Sequence, residues 1–320
     1  MCKDTEILHT FAKVNIYQIV LAMNILYLNI VVCIAGMMFT LAAGCNKKSS
    51  GDGGSEPTVK LLPSEICYSI DEESGVAKIF YDSINRITKV EYDYFSEYYE
   101  YDKSGRLISI STTLGDTISL SYSGNYIFIC YENSNYTRKF ELKNGKVIKI
   151  YEVKEGKDVL IGTYSYDSNG NLIYGATNTE SESLGITLHS TLDFSAKYAN
   201  KKGVYSGLSS QQSLAFPAID RLGFQVVNNP LSVNYDGEYS MTFNGETTSG
   251  TIIATDTYRY EEFNGDYPTK IKVTYKDNQI PLMKTNMLDF FPSFNLKNKN
   301  TRNTSSTIVY YYEIKYIEAR

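Results

Sequence analysis

The sequence predicts an all-β fold: an antiparallel meander of hairpins forming a curved sheet or small barrel-like domain, with one or two short helices. Three observations lead there. Short runs rich in Tyr, Ile, Val and Thr recur from Ile66 onward. Turn signals of the Asp-x-x-Gly kind separate them. No long stretch carries the apolar period of a helix.

The runs come in pairs. KIFY (78–81) leads through DSIN to RITKVEYDYF (86–95). YYEYD (98–102) leads through KSG to RLISIST (106–112), and TISLSY (117–122) through SGN to YIFICY (126–131). KFEL (139–142) leads through KNG to KVIKIYEV (146–153), and VLIGTYSYD (159–167) through SNG to NLIYGAT (171–177). The last strands are expected at Tyr258–Glu262, Thr269–Tyr275 and Thr307–Ile317, the final one pairing back with an early strand to shorten an exposed edge.

A unit Tyr-Asp-x-x-Gly-x-Leu-Ile occurs at Tyr101–Ile108 and again at Tyr166–Ile173. It reads as a hairpin corner. Asp102 accepts from backbone amides two residues on, Lys103 and Ser104 fill a type I turn, and Gly105 supplies positive φ. Asp167 to Gly170 repeats the arrangement. A calcium loop is the rival reading of Asp167–Asn171, but its twelfth position is Asn178 rather than Glu, and the flanks are strands.

In KVEYDY, Lys89, Glu91 and Asp93 share one parity while Val90, Tyr92 and Tyr94 share the other. Such a strand has one wet face and one packed face, unlike the lipid-facing strand of a membrane barrel. YIFICY is apolar on both faces and is expected to lie under a cover. The candidates are a short helix in 208–224, limited by Pro217, and the irregular piece Pro281 to Phe294.

Ahead of this domain, Lys3 and Lys13 precede an apolar run from Val14 to Ala43 that ends in LAAGC, with Cys45 last. A basic start, an apolar core and small residues before a cleavage point describe an export signal. An uncleaved membrane helix is the alternative, since the run is long enough to span. Asn46–Lys60, rich in Ser, Gly and charge, reads as a flexible tether. The expected organisation is therefore 1–44 signal, 45–64 tether and 65–320 a single antiparallel β domain. Cys67 and Cys130 sit in apolar strand-like runs; they are read as buried thiols, with a disulfide as the alternative outside the cytoplasm.

The chemistry is sparse. A net charge of −5 argues against a nucleic-acid partner. The two histidines are His9, in the signal, and His189, read as an ordinary strand residue. No metal site, P-loop, dinucleotide fingerprint or Gly-x-Ser-x-Gly elbow is legible, and no cofactor is expected. An enzyme is not predicted; an envelope hydrolase acting on polysaccharide or peptide is the alternative. The chain has 29 Tyr, 14 Phe and no Trp. Tyr92, Tyr94, Tyr98, Tyr99 and Tyr101 gather around one predicted hairpin and are the candidate ligand-facing aromatics, with β propensity and cross-strand packing as the plainer explanation.

LAAGC resembles the signal of bacterial lipoproteins, in which the Cys is lipidated and becomes the mature N-terminus; Cys45 would be that residue. Ala42 stands where that family prefers Leu. Tyr-Asp-x-x-Gly resembles the YD repeats of large bacterial secreted shells, with Gly105-Arg106 matching their Gly-Arg step. The same lipobox and hairpins, with KKGVYSG…LGFQVVNNPLSVNY (201–235) and YPTKIKVTY (267–275), resemble a family of Bacteroides-type gut lipoproteins with a porin-like β fold. That resemblance implies a curved sheet or small barrel and no activity. Envelope proteins of this type carry sugars at Asp-Ser/Thr-aliphatic sites, which makes Ser83 and Thr117 candidate O-glycosylation positions. The expected protein is a lipid-anchored outer-membrane lipoprotein at the cell surface or facing the periplasm. It would touch the membrane only through its lipid and bind a glycan, peptide or protein, or serve a structural role.

Overall fold

The computed structural model describes residues 59–70, 73–132, 137–183, 186–208, 223–224, 226–243, 245–277 and 306–319. The first ten strands are β1 (Leu61–Ile70), β2 (Glu73–Tyr81), β3 (Ile87–Glu91), β4 (Ser96–Tyr101), β5 (Leu107–Thr112), β6 (Thr117–Ser123), β7 (Tyr126–Tyr131), β8 (Thr137–Lys143), β9 (Lys146–Lys154) and β10 (Lys157–Tyr166). Four long strands follow: β11 (Leu172–Ser183), β12 (Ile186–Lys202), β13 (Asn228–Phe243) and β14 (Glu246–Asn264). β15 (Tyr267–Asp277) and β16 (Ser306–Glu318) complete the set. Each strand pairs antiparallel with its neighbours in sequence, and β16 pairs with β1, so the meander closes into a barrel. Closure leaves no open sheet along the seam.

The Asp-x-x-Gly corners form as their chemistry dictates. Asp102 Oδ1 accepts from the amides of Ser104 and Arg106, both at 2.9 Å, and its Oδ2 holds Arg106 Nε at 2.7 Å. Gly105 has φ 79°. Asp167 accepts from the amides of Asn169 and Asn171 in the same way, before Gly170 at φ 99°. Asp82 does so for Ile84 and Arg86, and there Asn85 takes the left-handed position at φ 65°. Each of these corners is followed by a one-residue register shift, the bulge that lets a longer loop close a hairpin.

Alternation then sorts the side chains. Ile127, Phe140 and Ile150 lie across from one another on β7, β8 and β9, 1–2% exposed. Ile129 lies opposite Arg138, which is opposite Glu152, all on the same inner face. One apolar cluster draws residues from all sixteen strands, from Ile66 on β1 to Ile314 on β16. A wide barrel with this many strands would enclose water if its inner face were polar. Here the lumen is packed instead. The segment after β12 helps to fill it: Val204 and Tyr205 are buried in the cluster, as are Phe224 and Val226 on the way into β13. Gly207 passes so close to the Leu61 carbonyl that a Cβ would collide with it.

The outer wall carries the charges, in pairs: Lys89–Glu91 and Lys139–Asp158 at 2.5 Å, Lys315–Glu65 at 2.6 Å, Lys270–Glu262 at 2.8 Å. Individually such exposed pairs contribute little to stability, because water and salt screen them. Their larger meaning is that this wall faces water.

One device repeats around the corner end of the barrel. A tyrosine near the end of an even-numbered strand donates its hydroxyl to a carbonyl near the start of the preceding odd strand. The bonds are Tyr81 to Pro63 (2.7 Å), Tyr101 to Ile87 (2.8 Å), Tyr122 to Leu107 (2.7 Å) and Tyr166 to Val147 (2.8 Å). Tyr198 to Leu172 (2.9 Å), Tyr260 to Pro230 (2.7 Å) and Tyr316 to Pro268 (2.7 Å) continue the series. Many of these tyrosines sit directly across from the residue whose carbonyl takes the next one: Tyr81 opposite Ile87, Tyr101 opposite Leu107, Tyr166 opposite Leu172, Tyr198 opposite Pro230, Tyr316 opposite Pro63. The girdle lacks a hydroxyl at one place, Leu142 on β8, which lies opposite Val147. The Tyr of the Tyr-Asp-x-x-Gly unit is thus a tie between hairpins, and its Asp makes the corner.

Several expectations need correction. The run 86–95 is not one strand: β3 stops at Glu91, and Tyr92–Phe95 forms a tight turn closed by Tyr92 N–H to the Phe95 carbonyl at 2.9 Å. The outward residues of YIFICY lie among outer-wall neighbours, Phe128 between Ser121 and Lys139. Its parity also places Cys130 on the exposed side. Cys67 is half-buried, and both thiols are free, so the reading of two buried thiols does not hold. The strands of the long quartet outrun the fragments read from sequence: β11 has 12 residues and β14 has 19, the latter far beyond Tyr258–Glu262. The expected cover 281–294 lies outside the described residues, as does 208–224 apart from Leu208, Gly223 and Phe224. The signal, Cys45 and the tether up to residue 58 also lie outside them.

Candidate functional site

The five candidate tyrosines come from β3, β4 and the turn between them, and the fold sends them to different places. Tyr94 occupies the tip of the turn, 94% exposed. Tyr98 points outward at 42% exposure. Tyr101 belongs to the girdle, with the Arg86 guanidinium 4.5 Å above its ring. Tyr92 and Tyr99 turn inward. Strand parity separates Tyr98 from Tyr99, and the break after Glu91 frees Tyr94 from the strand altogether. The structure therefore brings together two of the five.

Those two meet a carboxylate. Glu97, inward on β4 and opposite Val90, accepts the Tyr99 hydroxyl at 2.5 Å and the Tyr92 hydroxyl at 3.3 Å through one oxygen. Tyr92 is further fixed by stacking on Phe95 at 4.5 Å. Burial pushes the Glu97 carboxyl above its usual range, and the two tyrosine hydroxyls pull part of the way back. Burial, with the Glu97 charge added, raises both tyrosines well above ordinary phenols. Phenols held neutral beside a carboxyl form a hydrogen-bonded knot.

A second buried carboxylate stands across the lumen, where Tyr235 donates to Asp256 at 2.8 Å. His189 is exposed on the outer face near the start of β12, opposite Glu180 and Ser240. Ser206, beyond the other end of β12, donates to the Gly203 carbonyl at 2.7 Å. The two are not partners. No group of three or more His, Cys, Asp or Glu side chains suited to a metal occurs among the described residues.

Of the two modification candidates, Ser83 is exposed in the Asp82 corner. Thr117 is half-buried at the start of β6, where its carbonyl takes the Glu132 amide at 3.0 Å.

Sequence reasoning passed over the outward row beside the tyrosine hairpin. Phe80, Lys89 and Tyr98 stand directly across from one another on β2, β3 and β4. Lys89 had been noted only as a wet-face residue. The signal was available, since Phe80 and Tyr98 have the outward parity of their strands, but pairing partners cannot be read without the register.

No protein-family model and no curated protein sequence matches the chain. Among solved structures it is similar to a porin-like protein from Bacteroides uniformis, at 12% identity, covering 79% of this chain and 96% of that one, with a TM-score of 0.31. A porin-like protein from Bacteroides vulgatus is also 12% identical, covering 80% of this chain and 98% of that one, TM-score 0.27. The Photorhabdus luminescens Tc holotoxin pore matches at 10% identity over 65% of this chain and 13% of that one, TM-score 0.23. At such scores the likenesses carry no argument about function.

Proposed function

We propose that this chain is a lipid-anchored, non-enzymatic protein of the bacterial outer envelope. Its β-barrel stands in water and binds a glycan, peptide or protein, or holds other envelope components in place. The observation that carries the reading is the sidedness of the barrel. Apolar residues fill most of the lumen, with a few buried charges such as Arg138, Glu152 and Asp256 among them, while paired charges line the outer wall, the reverse of a membrane-embedded pore. Membrane attachment then falls to the segment ahead of residue 59, with Cys45 as the lipidated residue. The described chain enters the barrel at its corner end, where the Ala319 amide bonds the Lys60 carbonyl at 2.9 Å. An anchor there would hold the corners toward the lipid and the opposite rim outward, at the cell surface or into the periplasm. Sugars on Ser83 and Thr117 would add to the corner end and the far rim respectively, and intact mass of the native protein would register them.

Labelling with a palmitate analogue tests the anchor. The full-length protein should take up the label and stay with membranes after cell breakage. Cys45→Ala should lose both properties. A wild-type chain that takes no label, or an alanine variant that remains membrane-bound, would sink the reading.

A further inference from the structure

Two places on the outer wall are built alike. In the first, Lys89 of β3 sits between Phe80 of β2 and Tyr98 of β4, its ammonium 5.4 Å and 5.8 Å from the two ring centroids. In the second, Lys139 of β8 lies 4.3 Å from the Tyr126 ring of β7 and 5.5 Å from the Tyr151 ring of β9. Each ammonium is also clamped by a carboxylate, Glu91 in the first and Asp158 in the second, at 2.5 Å. Phe80 and Tyr98 remain 43% and 42% exposed despite these contacts. Elsewhere on the wall Lys272 approaches one ring, Tyr311, and faces Arg259 across the sheet, so that place lacks the second ring.

We infer that the Phe80–Lys89–Tyr98 row, with the Tyr126–Lys139–Tyr151 group as its counterpart, is a docking platform for a neutral, extended polysaccharide. The inference rests on the binding role proposed above and names its ligand class. Rings on alternate strands lie two strand spacings apart, about 9–10 Å. That separation is comparable with the repeat at which an extended β-linked glycan presents the same sugar face. A pyranose offers an apolar C–H face to a ring and hydroxyls at its rim. Here the rim groups would meet an ammonium that donates and a carboxylate that accepts, both already oriented by their mutual bond. Charge complementarity selects among polymers. Each platform balances its ammonium groups with carboxylates, Lys89 with Glu91 in the first and Lys139 and Lys149 with Asp158 and Glu141 in the second, so an uncharged chain fits it, whereas an acidic one would meet those carboxylates. The two platforms are centred on β3 and β8, five strands apart around the barrel, so a long chain engages both only by wrapping the outer wall, which would raise avidity without new contacts.

Native gel electrophoresis of the full-length protein in mild detergent tests this, with the gel containing mixed-linkage β-glucan, xyloglucan, galactomannan or, as the acidic comparison, alginate. The wild type should be slowed by at least one neutral polymer and not by alginate. Phe80→Ala/Tyr98→Ala should lose most of that retardation, Tyr126→Ala/Tyr151→Ala should weaken it, and Tyr311→Ala should leave it unchanged. Circular dichroism confirms that each variant keeps its sheet; Phe80→Leu/Tyr98→Leu, which preserves bulk without aromatic faces, should behave like the alanine pair. A wild type unslowed by all three neutral polymers, slowed by alginate alone, or slowed equally in the platform variants overturns the inference. Because palmitate labelling reads the anchor separately, such a result with the label intact would remove the ligand and leave the anchor standing.

Discussion

The ten strands β1–β10 and the quartet β11–β14 obey the same hydrogen-bonding rules but are specified differently. In the first region strands are short and local chemistry closes the corners: at Asp82, Asp102 and Asp167 a carboxylate bonds the amides of its own turn, a positive-φ residue follows, and four of the five even strands carry a tyrosine tied back to the preceding strand. In the second region strands run up to 19 residues and pair over long spans; Tyr198 and Tyr260 still tie β12 to β11 and β14 to β13, but among the described residues no Asp corner punctuates the quartet. Charge also divides them. Residues 172–196 and 231–257 contain Glu180, Glu182, Asp193, Asp236, Glu238, Glu246 and Asp256 without a single Lys or Arg. Asp193 and Asp236 even stand directly opposite each other. The contrast teaches that local corners make register robust, whereas long unpunctuated strands depend on packing and on backbone room at a few glycines.

The largest effect should come from removing that room. Gly237 lies so close to the Thr191 carbonyl and Leu192 backbone that any Cβ would clash, and the obstacle is backbone that cannot rotate away. Gly237→Val should cost about 3 kcal/mol or more, beyond the usual range for overpacking, read as a fall in the urea midpoint. Gly105 of the corner region is limited by φ rather than space. Gly105→Val should cost about 1–2 kcal/mol, and Gly105→Asn much less, because Asn85 already occupies the equivalent position at φ 65°. Equal losses for the two valine variants would break the comparison.

Next come the ties. Tyr198→Phe, which removes the bond to the Leu172 carbonyl, should destabilise by about 1 kcal/mol. Leu142→Tyr, filling the gap in the girdle, should recover a similar amount if the Ile127 carbonyl of β7 is within reach; a loss of stability instead would show that leucine packing matters more there. Chemical denaturation distinguishes the two outcomes.

The Glu97 knot adds a pH signature. Its folded carboxyl titrates above the unfolded value, so the fold holds the proton more tightly. Stability from this group is therefore full below the unfolded pKa and is lost as pH rises through the folded one. The Asp102 carboxyl, held low first by the Arg106 amide, has the opposite sign, and its contribution disappears as the solution is acidified. Glu97→Gln should be more stable than wild type at pH 7, with the difference closing as pH falls toward 4. Parallel melting curves for the two proteins across that range would rule the assignment out.

The smallest change should follow relief of the facing aspartates. Asp193→Asn loses little at the Tyr174 hydroxyl, 3.0 Å away, since an amide oxygen can still accept. It should gain a few tenths of a kcal/mol, the size of a like-charge cross-strand pair, and the gain should shrink in high salt.

How legible was all this? The corners were, because an Asp, a turn pair and a Gly act within five residues. The sidedness of the strands was legible too, as in Lys89 and Glu91 against Val90. The tyrosine girdle was not: Tyr101 and Ile87 are neighbours only once β3, β4 and the bulge are set. Nor was the Phe80–Lys89–Tyr98 row, whose members come from three strands. The five tyrosines looked like one group because they are close in sequence, and the turn at Tyr92–Phe95 together with strand parity scattered them.

By itself the sequence determined that this chain makes successive hairpins with one wet and one packed face, since those features depend on residues a few positions apart. Which face became the lumen, that β16 would close on β1, and which aromatic would stand beside which lysine were decided by the tertiary structure. Register is a relation between distant segments, and a shift by one residue would have reversed every side chain on a strand.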